Sequence, residues 1–335
     1  MDELIKIFKD DIYPEFIDKY LNTKTLDRIK YVSQFCGCDY TNLYNTKFYY
    51  SRYDHSLVVA HMTWHFTHDK NATIAALLHD VGTPCFAHSI DYVFGDYINQ
   101  ESSEKDIIEI IKKDEELLQY LNEDNIFLKD LQDLTKYPIL ENKTPKLCTD
   151  RLDGVLGTCY IWLQTHSLDE LKEIYDNLTI LENDEGIPEL GFKDIDICQK
   201  FVDMILVYAK ELQGNTDKYT MKYISEVIKI AVERNLITLE DLYTLKESEI
   251  ISILFYNFDT WNIFENATEL IRTNEEPENF YASFNTKKRN VIPLVINENK
   301  VDRIIDISSE IKIKYDEFNN YKDTNYAYLK RIKKI

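Results

Sequence analysis

Residues 74–82 read Ile74-Ala75-Ala76-Leu77-Leu78-His79-Asp80-Val81-Gly82, and this stretch decides how the chain is read. The run is apolar as far as Leu78. It then sets two metal-capable side chains next to each other, and Gly82 and Pro84 follow. An apolar run stopped by glycine and proline reads as the end of a buried helix. Two further stretches supply ligands of the same kind, Arg52-Tyr53-Asp54-His55-Ser56-Leu57 before it and Thr149-Asp150-Arg151-Leu152-Asp153 after it. Taken in order, His55, His79, Asp80 and Asp150 form a nitrogen and carboxylate set. Such a set suits a divalent metal that keeps positions open for water and substrate. A metal of that kind generates hydroxide at neutral pH and stabilises charge on a phosphoryl oxygen.

His55 precedes Ser56-Leu57-Val58-Val59-Ala60, which reads as the start of a helix, and Asp150 falls in the first turn of another. Ligands from three helices meeting at one point make a rigid centre. Taken singly, each signal is weak. A His-Asp pair occurs by chance, a lone histidine packs or caps, and a lone aspartate is often an N-cap. The ordered combination carries the reading.

The rest of the chain bounds the answer. Its 335 residues suffice for one large core or two smaller ones. No run of 18 apolar residues occurs, so no membrane span is expected. Residues Met1 to Lys6 are mixed in charge and open an amphipathic pattern, unlike a secretory leader. The six cysteines show no pairing pattern, so reduced thiols and a cytoplasmic setting are expected. Cys36-Gly37-Cys38 is too close for a redox CxxC and reads as structural. A net charge of -20 disfavours binding to nucleic acid, whose phosphates would be repelled. A nucleotide substrate stays open, because a metal and a few local cations overcome a diffuse field.

Glycine and proline are scarce, and apolar residues recur at helical spacing. Ile107, Ile108, Ile111, Leu117, Leu118 and Leu121 trace one amphipathic stretch. Val202, Ile205, Leu206, Ala209 and Leu212 trace a second, and Ile224, Val227, Ile228, Ala231 and Leu236 a third. Residues 178–182 and 187–192 read as strand, turn and strand around Asn183-Asp184-Glu185-Gly186. Residues 290–296 and 301–307 read the same way around Asn297-Glu298-Asn299-Lys300. The expected fold is mainly α, a helical bundle with a small β-hairpin element and a helical C-terminal half. The expected division is a metal-binding core over 1–175 and a C-terminal region over 176–335 that packs on it.

The three ligand stretches resemble the HD-domain metal-dependent phosphohydrolases. The following segment, Pro84-Cys85-Phe86-Ala87-His88-Ser89-Ile90-Asp91, is similar to that of the deoxynucleoside triphosphate triphosphohydrolases, including the SAM-and-HD-domain enzymes. The likeness is good over roughly residues 45 to 165 and loose beyond. It implies a helical HD-domain bundle and a metal held by His55, His79, Asp80 and Asp150. It implies that Arg52 lies beside the substrate and that His88 faces a phosphate. It also implies a homo-oligomer. The ligand set leaves manganese, iron, magnesium and zinc open.

His88 and Asp91 lie three apart, so on a helix the acid can orient the imidazole or merely cap. Glu101 is a candidate base, and Gln100 a candidate substrate contact. Lys288, Arg289 and Arg303 are candidate phosphate or subunit contacts. His61, His65 and His68 read as packing or surface residues, although the spacing of His61 and His65 can hold a metal. The chain also departs from the pattern. Many triphosphohydrolases carry histidines where this chain has Thr83 and Gln100, and the SAM-and-HD-domain enzymes place a tyrosine and an aspartate where it has Gly154 and Thr158. The expected activity is hydrolysis of a nucleotide, foremost of a triphosphohydrolase kind. A monophosphate phosphatase, a phosphodiesterase and a nucleotide sensor with little turnover are the alternatives.

Overall fold

The structure is a computed structural model that describes residues 2–8, 12–103 and 105–335. Met1, at the head of the N-terminal reading, lies outside the described residues. Ahead of the first ligand lie α1 (Asp2–Phe8) and α2 (Lys24–Ile29). The helix bearing His55 is α3 (Arg52–Thr67). Its start is fixed by a reciprocal cap in which Ser51 Oγ accepts from the Asp54 N–H while the Asp54 carboxylate accepts from the Ser51 N–H. His68, in the left-handed region at φ 48°, ends it. Asp69 then caps α4 (Lys70–Leu78), whose residues Ala72 to Leu78 are all buried. So short a connection makes α3 and α4 antiparallel neighbours.

Three short helices follow, α5 (Ile107–Ile111), α6 (Glu115–Glu123) and α7 (Leu128–Leu131). The single amphipathic stretch expected over 107–121 is therefore two helices. Asp114 breaks it by accepting from the Leu117 N–H as the cap of α6 and from Thr25 across the chain. Then come α8 (Thr149–Ile161), α9 (Leu168–Asn177) and the hairpin of β1 (Leu178–Glu182) and β2 (Pro188–Phe192). Asn183 Oδ1 accepts from the N–H groups of Glu185 and Ile187 to form the turn. Long helices α10 (Ile195–Leu212) and α11 (Asn215–Glu233) carry the second and third expected stripes, with Leu236 just beyond the end. They lead into α12 (Glu247–Asn257) and α13 (Asp259–Glu265).

The tail contains β3 (Ile271–Thr273), β4 (Tyr281–Ala282), β5 (Leu294–Asn297), β6 (Lys300–Arg303), α14 (Ile304–Ile307), α15 (Ser309–Asn320) and β7 (Tyr326–Tyr328). The second expected hairpin is shorter than its sequence suggested. Its first strand begins after Pro293, which has no N–H for a ladder. Its second strand gives way at Ile304 to a helical turn, because Ile304, Ile305 and Ile307 pack into the main core. The two hairpins join in one sheet of order β1-β2-β5-β6, with β2 and β5 parallel. A second sheet, β3-β7-β4, was not foreseen, since its strands are two or three residues long. The protein is thus mainly helical with a small β component.

One apolar cluster runs from Leu4 in α1 through α3, α8 and α10 to Tyr315 in α15. The packing therefore crosses residue 175. No helix among the described residues is long and apolar enough to cross a membrane.

Arg303 does not reach the ligand cluster. It forms a two-pronged ion pair with Glu189 of β2, whose carboxylate is fully buried, with Nη2 donating to Oε2 at 2.8 Å. Glu189 also accepts from the Leu147 N–H and from Asn183. Arg303 thus ties β6 to the loop that leads into α8, and of the phosphate and subunit contacts expected of it, the phosphate contact gives way to this structural role. Arg303→Met should strand the Glu189 charge and destabilise the fold by about 3–5 kcal/mol. The double change with Glu189→Gln should cost less. Denaturant midpoints of the single and double variants check this, and an Arg303→Met midpoint equal to the parent's would contradict it.

Candidate metal centre

The caps described above fix where α3 begins and ends and where α4 begins, and so help to set where the ligand side chains stand. His55 is in the first turn of α3, His79 and Asp80 leave the end of α4, and Asp150 is in the first turn of α8. Thr63 of α3 and Thr149 of α8 share a hydrogen bond of 2.8 Å that sets these two helices against each other. All four predicted ligands come together.

His55 Nε2 lies 3.3 Å from His79 Nε2, 3.0 Å from Asp150 Oδ1 and 3.8 Å from Asp80 Oδ2. His79 Nε2 lies 3.6 Å from Asp150 Oδ1 and 3.8 Å from Asp80 Oδ2. Each imidazole is held from behind. His55 Nδ1 is 2.6 Å from Asp153 Oδ2, and His79 Nδ1 is 2.6 Å from the Ala76 carbonyl oxygen. A ring nitrogen that donates to an oxygen leaves the other nitrogen as the ligand, which is how metal-bound histidines are oriented. Ligand atoms of His55, His79 and Asp80 all lie within 4.8 Å of one another and could hold one ion. The donor set fits a divalent metal ion, the cofactor for which the site is built.

A second group, Glu141, Cys148 and Asp150, also has converging atoms. There the cation is already supplied by Arg151, which donates to Glu141 at 2.6 Å and approaches the Cys148 sulfur at 3.2 Å. Burial pushes the Cys148 thiol up, and the Arg151 charge only partly offsets this, which disfavours the thiolate a metal would need.

Electrostatics at the centre follow from the crowding. Burial opposes a charged His55, yet its hydrogen bonds to Asp150 and Asp153 outweigh that and raise it to about 10. His79 is raised too, since burial is outweighed by Asp80 and Asp150. Burial would raise Asp80, but Arg52, with Nη1 at 2.9 Å, and the two histidines hold it well below the usual range.

The ligands open into a cavity of about 670 Å³. Its wall carries Arg52, Lys143, Arg151, Lys287, Lys288 and Arg289. The same wall carries Asp80, Glu101, Glu141, Asp150 and Asp217, so cations and acids face each other across it. Lys287, Lys288 and Arg289 ride on the segment between β4 and β5, which is fastened to the loop after His88. Lys287 Nζ donates to the Asn99 carbonyl at 2.8 Å, and Arg289 Nη2 to Gln100 Oε1 at 2.6 Å. Gln100 is therefore in the wall, bonded to Arg289 and Tyr92. Glu101 sits there with its side chain largely exposed, 3.9 Å from Lys287 Nζ. Lys288 Nζ donates to the Asn319 carbonyl.

His88 lines the cavity, with Nδ1 3.0 Å from Asp91 Oδ2. Asp91 is fully buried, does not line the cavity, and accepts from the Ser103 N–H at 2.7 Å. It is a positioning residue and touches no ligand space. Burial, helped by the charges of Arg289 and Arg52, lowers His88 and keeps it neutral near neutrality, despite the bond to Asp91. His61, His65 and His68 pack against Tyr13, Tyr175 and Trp64 respectively.

Sequence reasoning missed several residues. Asp153, one turn beyond Asp150, holds His55 and accepts from the Tyr50 hydroxyl; its spacing was a usable signal. Gln34 lines the cavity, and its buried Oε1 has no hydrogen-bond partner. Glu247, first in α12 and fully buried, accepts from the Ser33 N–H, the Tyr40 hydroxyl and the Phe86 N–H. It clamps loops on both sides of the His79-Asp80 pair from more than 150 residues away, which no local pattern reveals. Gly82 is required by close approach, since a Cβ there would lie 2.3 Å from the Lys105 carbonyl oxygen.

The raised His55 value ties stability to metal. The bonded imidazolium stabilises the fold fully below the unfolded-state value of about 6.5, and this fades as pH rises toward about 10. Protein stripped of metal should thus lose stability across that window. Saturating divalent metal, which binds the deprotonated ring, should remove the loss. Thermal melts from neutral to alkaline pH check this, and parallel profiles with and without metal would contradict it.

Comparison with known proteins agrees with this geometry. Residues 52–145 match the model of the HD domain. The uncharacterized protein YdhJ of Bacillus subtilis is 27% identical over 243 residues, covering 71% of this chain and 70% of its own. A phosphohydrolase from Bacteroides thetaiotaomicron shares the fold with a TM-score of 0.63 at 13% identity, over 97% of both chains. A hypothetical protein from Aquifex aeolicus does so with a TM-score of 0.59 at 16% identity, over 92% of this chain and 90% of its own. Residues 52–145, which carry His55, His79 and Asp80, are thus similar to the HD domain.

Proposed function

We propose that the protein is a metal-dependent phosphohydrolase of nucleotides, foremost a deoxynucleoside triphosphate triphosphohydrolase in kind. One observation carries this reading. A single cavity joins the His-Asp cluster, a neutral histidine backed by an aspartate, and six Lys and Arg side chains. A wall of aromatic side chains closes the same space. A ligand with a polyphosphate at one end and a flat ring at the other matches such a wall. The volume lies within the range of small-molecule sites, roughly 300–1,000 Å³.

His55, His79, Asp80 and Asp150 would hold the ion. When bound, a divalent ion lowers the pKa of a water and offers positive charge to a phosphoryl oxygen. Arg52 stands between the ligands and the cavity, where it holds Asp80 ionised and presents its guanidinium to a phosphate. Arg289, Lys287 and Lys288 add charge from the opposite segment. His88 keeps its Nδ1–H on Asp91, so Nε2 is the proton acceptor it offers. Water gives a proton to His88 Nε2 as its oxygen adds to the α-phosphorus, the bond from phosphorus to the nucleoside oxygen breaks, and that oxygen takes up the proton from the imidazolium. Nucleoside and tripolyphosphate result. Positioning and fixed charge supply most of the rate, as in other phosphoryl transfers.

The test is anion-exchange analysis of products after incubation with manganese and a panel of ribo- and deoxynucleoside mono- and triphosphates. Nucleoside plus tripolyphosphate is expected, with no turnover in Asp80→Ala and kcat lowered by about 10²–10⁴ in His88→Ala. Inorganic phosphate from monophosphates alone would shift the reading to a phosphatase, and survival of every nucleotide would overturn it.

A further inference from the structure

Away from the ligands, the cavity wall formed by residues 35–44 and the start of α11 is aromatic and apolar. Tyr44 stacks on Trp162 with centroids 4.5 Å apart and 29° between planes. Phe35 meets the same indole edge-on at 6.2 Å. Cys38, Met221 and Tyr92 pack with Tyr44. Set into this wall is one carboxyl, Asp217, in the first turn of α11 and only 7% exposed. Its Oδ1 accepts from the Tyr44 hydroxyl at 3.2 Å. Among the described residues no ion pair reaches it.

That is an expensive arrangement for an acid. A buried carboxyl is normally paired or bonded on both oxygens, and one with a single neutral donor calls for an explanation. Burial pushes Asp217 up to about 7. A ligand that brings an N–H to the second oxygen would supply the missing bond.

We infer that Asp217 selects the base of the nucleotide, accepting from the exocyclic amino group of cytosine, adenine or guanine and discriminating against uracil and thymine. The inference rests on the nucleotide reading above. A flat base matches the stacked wall, because every base has a face that packs on aromatic rings. With Oδ1 taken by Tyr44, one acceptor oxygen remains. An amino group at the base edge gives it a hydrogen. In uracil and thymine the same edge carries a carbonyl oxygen, and the ring N–H lies between two such oxygens, both repelled by the carboxylate. Nothing in the sequence marked Asp217, which falls in the polar run Gly214-Asn215-Thr216-Asp217-Lys218 where α11 begins.

The test compares kcat/KM for the triphosphates of deoxycytidine and deoxyuridine, which differ on that edge. The parent protein, with manganese at mildly alkaline pH, above the Asp217 value of about 7, should prefer deoxycytidine triphosphate by about tenfold or more, the worth of one hydrogen bond to a charged group. Asp217→Asn places an amide N–H where the acceptor stood. It should bring the ratio to one or below while efficiency on the uracil substrate holds or rises, whereas simple misfolding would lower both alike. Tyr44→Phe keeps the carboxylate and should retain the preference, which serves as the test if Asp217→Asn does not melt cooperatively. A ratio near one in the parent, a ratio unchanged in Asp217→Asn, or a preference lost in Tyr44→Phe overturns the inference. Equal hydrolysis of both substrates leaves the nucleotide reading standing and removes only this one. Failure to bind or hydrolyse either removes the nucleotide reading itself.

Discussion

Two imidazole nitrogens 3.3 Å apart, with the carboxylates of Asp80 and Asp150 around them, are the constraint on which the rest of the structure depends. Nitrogens do not sit so close in a protein interior without a proton or a cation between or beside them. Asp153 behind His55 and the Ala76 carbonyl behind His79 remove the freedom of the rings to turn away. Arg52 keeps Asp80 charged at the rim. Each of these partners is itself fixed by a helix cap or a buried neighbour, so the cluster is a preorganised site rather than a chance meeting of polar residues.

The second half of the chain completes what the first half begins. Glu247 binds backbone N–H groups on either side of the ligand pair, and Glu189 with Arg303 steadies the loop that feeds Asp150 into α8. The segment after β4 brings three cations to the cavity and fastens them to the loop that follows His88. The HD-domain match ends at residue 145, yet Asp150, the cationic segment and Asp217 all lie beyond it. The cavity is a product of the whole chain.

What could be read from the residues divides along a physical line. The centres of helices and the meeting of His55, His79, Asp80 and Asp150 were legible, because helical periodicity and local stops such as Gly82 and Pro84 act over a few residues. The hairpin at 178–192 was legible for the same reason, with Asn183 and Gly186 as turn signals. Misreadings arose where a distant partner decided the outcome. Arg303 looked like a free cation until Glu189 came to meet it, and the strand after residue 300 bent into a helical turn that buries Ile304 and packs Ile305 and Ile307 against the core. The helix over 107–121 broke because Asp114 was drawn to Thr25 as well as to its own cap. Asp217 and Glu247 are polar residues in unremarkable surroundings, and only the assembled fold shows that they are buried.

The most direct measurement of the central claim is anomalous diffraction at the manganese edge from crystals grown with manganese. An anomalous peak is expected within coordination distance of His55 Nε2, His79 Nε2 and the carboxylates of Asp80 and Asp150. A peak at Glu141 and Cys148 instead, or manganese found only on surface carboxylates, would contradict it.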